Sequence, residues 1–146
     1  MKGFTLLELL IVIGIVVILI GVTIAAINPS RQVAQANRAT RWANVTTIAN
    51  AVAQSLVDSA GVWTCTSSCP VTVSTTNISS ATGTCDLCTC LVPTYLGSLP
   101  IDPTIGTSVT NCSSYTTGYS IFWSTTTPPY RVTIISDLDS SISVTR

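Results

Sequence analysis

The chain has 146 residues, enough for one domain plus a further element, with 47% hydrophobic but only 8% charged residues, far below the roughly 25% of ordinary soluble proteins. Six Lys/Arg balance six Asp/Glu, so a net charge of zero offers nothing specific to a nucleic-acid backbone. There is no histidine, and no Gly-rich phosphate loop, zinc-protease helix or nucleophile elbow, so no catalytic residue is assigned and the chain is not read as an enzyme.

The first predicted element runs from Phe4 to Ile27. Glu8 is its only charge. A helix of about 20 apolar residues crosses the hydrocarbon core of a bilayer, so this run is long enough to span one. A carboxylate inside a membrane costs several kcal/mol unless it is paired, which makes Glu8 a functional candidate; the plainer reading is that it snorkels to the membrane surface. Gly14 and Gly21 punctuate the run and Pro29 ends it. Gly21 and Pro29 therefore mark the expected kink, a bent or locally unwound stretch at Ile27-Asn28-Pro29, with Asn28-Pro29 starting a new helix as the alternative; both give one long bent arm.

Lys2-Gly3-Phe4-Thr5-Leu6-Leu7-Glu8 and the apolar run behind it resemble the processing site of type IV prepilins and type II secretion pseudopilins. The likeness is close over roughly the first fifth of the chain and general beyond it. It implies that a prepilin peptidase cuts after Gly3 and methylates the new amine on Phe4. It also implies that Glu8 pairs with such an amine, its own or a neighbour's, during assembly. Four residues apart, the two groups lie on one helical face, and opposite charges in low dielectric relieve each other's desolvation. The implied partners are identical subunits, the prepilin peptidase, the membrane and the assembly machinery. The implied location is the membrane before assembly and a surface filament afterwards.

Two other readings stay open. Thr23-Ile24-Ala25 is a passable signal-peptidase site, which would make the product a secreted disulfide-rich binding domain; against this, secretory apolar cores span only about 7–15 residues. The chain could also be a single-pass membrane protein that never polymerises. Only Lys2 precedes the run whereas Arg31, Arg38 and Arg41 follow it, so charge counting alone favours a cytoplasmic C-terminal part. The cysteines and the resemblance favour the outside.

From Ser30 to Ala60 the pattern is helical. Trp42, Val45, Ile48, Ala49, Val52 and Leu56 recur every three or four residues, forming the stripe expected to face a sheet, and Gly61 is a fitting terminator. The three arginines favour the other faces and are expected to meet acids of neighbouring subunits.

Beyond Gly61 the chain turns Ser/Thr-rich. Cys65, Cys69, Cys85, Cys88, Cys90 and Cys112 all lie there, and an even count in a region expected to be exported reads as disulfides whose pairing the spacing does not choose. Four of the thiolates could instead hold zinc, the less favoured alternative. Val71-Thr72-Val73-Ser74 alternates like a short strand. Leu99-Pro100-Ile101-Asp102-Pro103 is a turn that resembles a pseudopilin segment, and the resemblance makes Asp102, standing without a nearby acidic partner, the calcium candidate. No other cofactor is expected. Tyr119–Ser124, Tyr130–Ile135 and Ser141–Thr145 read as three strands, joined through Thr125–Pro129 and a turn at Asp137–Ser140. Asn44, Asn77 and Asn111 open glycosylation triplets of the kind that arise by chance in such a composition.

The expected architecture is α+β. Residues 1–3 are a leader, 4–28 a membrane or filament-core helix, 29–61 an amphipathic helix, and 62–146 a disulfide-rich β region whose antiparallel sheet packs on that helix.

Overall fold

The computed structural model describes residues 3–107 and 112–146, with Ala25 as backbone only. Lys2 of the basic leader and Asn111 of the third glycosylation triplet lie outside the described residues. The elements are α1 (Leu6–Ile27), α2 (Pro29–Asp58), β1 (Thr76–Ser79), α3 (Cys88–Leu91), β2 (Thr116–Trp123), β3 (Val132–Ser136) and β4 (Ser143–Thr145). The chain divides into two compact units, Met1–Ala36 and Asn37–Arg146.

In the first unit α1 is a continuous helix through Gly14 and Gly21. Gly21 does not interrupt it; the interruption expected at Ile27-Asn28-Pro29 falls at Asn28, which caps α1 in the left-handed region with φ 45°. Asn tolerates that conformation better than most residues with a Cβ. Pro29 then opens α2, the position where its missing N–H leaves no bond unmade. The junction is tied locally: the Ser30 hydroxyl donates to Asn28 Oδ1 at 2.7 Å and the Arg31 N–H to the Asn28 carbonyl at 3.1 Å. Proline thus starts the second helix rather than kinking a single one.

In the second unit the core forms where α2 meets the sheet and the cysteine-rich loops. Val45, Ile48, Ala49 and Val52 are buried as the periodicity predicts, and Ala51 and Ser55 join them. Trp42 does not; it is 41% exposed. The adjoining turns of α2 are held by polar contacts of Arg38 and Arg41, so the apolar layer starts one turn later, at Val45. The helix ends through Ala60 and Gly61, both at positive φ (52° and 82°), with the Gly61 N–H returning to the Leu56 carbonyl at 2.7 Å.

The sheet is antiparallel in the order β1-β2-β3-β4. Tyr119, Ile121 and Trp123 of β2 pair with Ser136, Ile134 and Val132 of β3, and alternation turns these six to the core. Trp63, from the loop after α2, packs on Trp123 with ring centroids 5.0 Å apart. The three C-terminal strands fall close to expectation. The strand read at Val71–Ser74 does not form: the Thr72 and Thr76 hydroxyls both bond the Ser74 carbonyl and turn the chain there. Pairing begins at Thr76, where a single apolar residue, Ile78, carries no alternation to read.

The cysteines pair as Cys65–Cys90, Cys69–Cys85 and Cys88–Cys112, with Cα separations of 6.0, 4.1 and 5.4 Å. Every cysteine is taken up, which corrects the zinc alternative. Two of the bridges tie the flanking loops to the short α3, Cys65 through Cys90 and Cys112 through Cys88, and Cys69–Cys85 joins the loops on either side of β1. The Asp86 carboxylate, just ahead of α3, accepts from the Cys88 N–H at 3.0 Å and from the Tyr115 hydroxyl at 2.6 Å. Burial, followed by that bond to Asp86, pushes the Tyr115 hydroxyl well above its ordinary pKa.

Candidate functional site at the start of α1

The sequence Thr5-x-x-Glu8 ahead of an apolar run is a capping box. The Thr5 hydroxyl accepts the Glu8 N–H at 3.2 Å, while Glu8 Oε2 accepts both the Thr5 N–H at 3.1 Å and the Thr5 hydroxyl at 3.0 Å. Two of the N–H groups that no helical carbonyl can reach are satisfied reciprocally. The Glu8 charge also lies at the positive end of the helix dipole. Thr5 is the residue that sequence reading passed over here, although the T-x-x-E spacing was there to find. Phe4 and Glu8 share a shallow groove with Leu9 and Val12.

Behind this cap, the large apolar side chains from Phe4 to Ile27 range from 45% exposed (Val16) to 89% (Phe4). None of the window Leu6–Ile24 is buried, and its mean hydropathy is 3.0. The helix is long and apolar enough to cross a membrane; a signal sequence near an N-terminus meets the same criteria.

The arginines expected to face neighbouring subunits are in part used within the chain. Arg38 Nε lies 3.4 Å from Asp139, and its Nη2 donates to the Ser141 hydroxyl at 2.8 Å. Hydrogen bonds from Ser141 and, more weakly, the charge of Arg38 hold the Asp139 carboxyl below its usual range. Arg41 Nε donates to Asp102 at 2.6 Å and its Nη2 to the Thr104 hydroxyl at 2.8 Å. Asp102, the calcium candidate, is 2% exposed. It also accepts from the Thr104 N–H and hydroxyl and from the Ile105 N–H, so its lone pairs are engaged and a cation would have to displace a guanidinium. Burial alone would raise the Asp102 pKa; the bonds from Arg41, Thr104 and Ile105 outweigh it and hold the value at about 2. Among the described residues no group of three or more Cys, Asp or Glu is placed to hold a metal ion.

The Asp102 turn fits tightly against β2. At Gly118, with φ +77°, a Cβ would lie 2.7 Å from Asp102 Cβ and 2.9 Å from Ile105 Cγ1. Asn44, from the first glycosylation triplet, is inside this arrangement, donating to the Ile101 carbonyl at 2.8 Å and the Tyr119 hydroxyl at 2.9 Å.

Comparison of the chain with family profiles, curated proteins and solved structures finds no match to any of them.

Proposed function

We propose that this chain is a structural subunit of a type IV pilus-like or pseudopilus-like filament. On this reading it is stored in the membrane through α1, cleaved after Gly3, methylated on Phe4 and polymerised through α1 by prepilin-type assembly machinery. One observation carries the reading: an unbroken, wholly exposed apolar helix whose only charge, Glu8, is held at its first turn, joined in sequence to a disulfide-tied α+β unit. The apolar helix supports storage in lipid, and the same surface supports helix-on-helix packing after extraction. The Thr5–Glu8 box supports an assembly role for Glu8, because it holds the carboxylate next to the residue whose amine cleavage would free. The three disulfides support exposure of the second unit to an oxidising compartment.

N-terminal sequencing with intact mass tests processing, and shearing of the cell surface tests assembly. The expected mature chain begins at methylated Phe4 and is recovered in sheared filaments. A mature chain beginning near Ala26 would mean secretion by an ordinary signal peptidase. A chain processed at Phe4 that stays in the membrane and never enters a filament would mean a non-polymerising membrane protein.

A further inference from the structure

Most charged side chains in the described residues have a partner. Arg38, Arg41, Asp102 and Asp139 form ion pairs, Asp86 bonds Tyr115, Asp137 bonds Ser120, and Arg146 bonds Asn50. Among the described residues three charges have neither an ion partner nor a side-chain hydrogen bond: Arg31, Asp58 and Arg131. Asp58 is the single acid of the three, and it lines an open groove of about 540 Å³. Thr47, Asn50, Gln54 and Asp58 of α2 form one wall, and Thr94 and Tyr95 face them. The Gln54 amide and the Tyr95 hydroxyl are also without partners among the described residues. Ala51 and Leu96 complete a lining that mixes polar and apolar groups, Asn50 Oδ1 is already taken by Arg146, and Asp58 is the one charged residue in the lining, with the Gln54 amide and the Tyr95 hydroxyl open beside it.

Arg31 lies in a stretch of matching chemistry. Every residue of α2 from Pro29 to Ala36 is exposed, and Ser30, Arg31, Gln32 and Gln35 make the stretch polar and positive. We propose that the groove receives the first turns of α2 from a second copy of the chain, Arg31 of one copy pairing with Asp58 of the other. The proposal rests on the filament reading and names a lateral contact in it. Charge argues for this occupant over a closed dimer: a groove meeting its own image would set Asp58 against Asp58, a repulsive arrangement. Joining two different surfaces leaves a free groove on one copy and a free Arg31 on the other, the heterologous geometry that continues from copy to copy and, where it does not close into a ring, builds a helical polymer. Arg131 is the competing cation. It follows the Thr125–Pro129 connection and Tyr130, which border a separate apolar groove with Leu56, Val57 and Val62. No side-chain amide lines that groove, whereas Gln54 lines the groove at Asp58 and can complete the hydrogen bonding of a guanidinium–carboxylate pair.

The test is charge reversal in the full-length chain, produced in cells that hold its assembly machinery and no other pilin-like subunit. Yield of sheared filaments is compared with the processed subunit left in the membrane. Both side chains are exposed and unpartnered, so each single variant should keep the wild-type unfolding midpoint. Arg31→Asp and Asp58→Arg should each lower filament yield about ten-fold, and the double exchange should restore at least about half of it. Arg131→Asp should polymerise like the wild type. Single reversals that assemble normally, a double exchange without recovery, or recovery of Asp58→Arg by Arg131→Asp would each overturn this pairing while leaving the filament reading intact. A wild-type chain that yields no filaments would overturn both.

Discussion

Replacing Arg41 with Gln would leave Asp102 buried with only Thr104 and Ile105 as donors. The fall of the Asp102 pKa from 3.8 to about 2 corresponds to about 2 kcal/mol of preference for the charged carboxylate in the folded chain. Arg41 supplies the largest of the favourable contributions. Removing one partner of a buried ion pair costs about 3–5 kcal/mol; the surviving donors offset part of that, so the expected loss near neutral pH is about 3 kcal/mol. Asp102→Asn should cost less, about 1–2 kcal/mol, because the Arg41 side chain is 13% exposed and can turn to water. The pH dependence follows the depressed pKa. Stability from Asp102 is fully present above the unfolded value near 4 and is lost as pH falls toward about 2. The wild type should therefore weaken through that window, and Arg41→Gln should weaken much less. Urea unfolding of the full chain in a zwitterionic detergent, followed by fluorescence of the buried Trp63–Trp123 pair, measures both quantities. A loss below about 1 kcal/mol for Arg41→Gln, or an unchanged slope between pH 4 and 2, would refute the argument that this pair locks α2 to the Asp102 turn.

A non-reducing peptide map should recover Cys65–Cys90, Cys69–Cys85 and Cys88–Cys112, and no other pairing. Closing spans of 16 to 25 residues, each bridge should contribute about 3 kcal/mol, read as a lower urea midpoint after paired Cys→Ser exchange. Gly118→Ala should destabilise the unit by about 2 kcal/mol or more, because a Cβ there meets the Asp102 and Ile105 side chains at positive φ; an unchanged midpoint would show that the turn gives way freely. Glu8→Ala and Glu8→Gln should leave insertion and leader cleavage intact and greatly lower filament yield, since the Phe4 amine would be left unpaired in the packed polymer. Normal yield from both would return Glu8 to the status of a helix cap.

Features spaced locally along the chain were legible without coordinates. The uncharged run from Phe4 with Glu8 near its start was plain from composition, and the helical stripe at Val45, Ile48, Ala49 and Val52 and the strands read at Tyr119–Ser124 and Tyr130–Ile135 repeat with the period of the element they form, because burial on one face selects that period. The even cysteine count in a weakly charged region likewise implied bridges. Contacts between residues distant in sequence were decided by the folded chain. Arg41 and Asp102 are 61 residues apart, and no pattern marks them as partners. The arginine stripe therefore read as a face for neighbouring molecules although two of its members close onto their own unit. Disulfide pairing was equally unreadable, since it depends on which loops the core brings together. Trp42 had the right spacing and still stayed outside, because periodicity gives the direction of a side chain and not where the opposing layer begins. The strand at Val71–Ser74 failed for a related reason: two threonine hydroxyls turned the chain toward the Ser74 carbonyl, so that stretch keeps a single backbone bond to β2, from the Trp123 N–H to the Thr72 carbonyl, and the ladder begins past the turn, at Thr76. A strand exists only where a partner lies alongside it, and the position of a partner is a property of the fold.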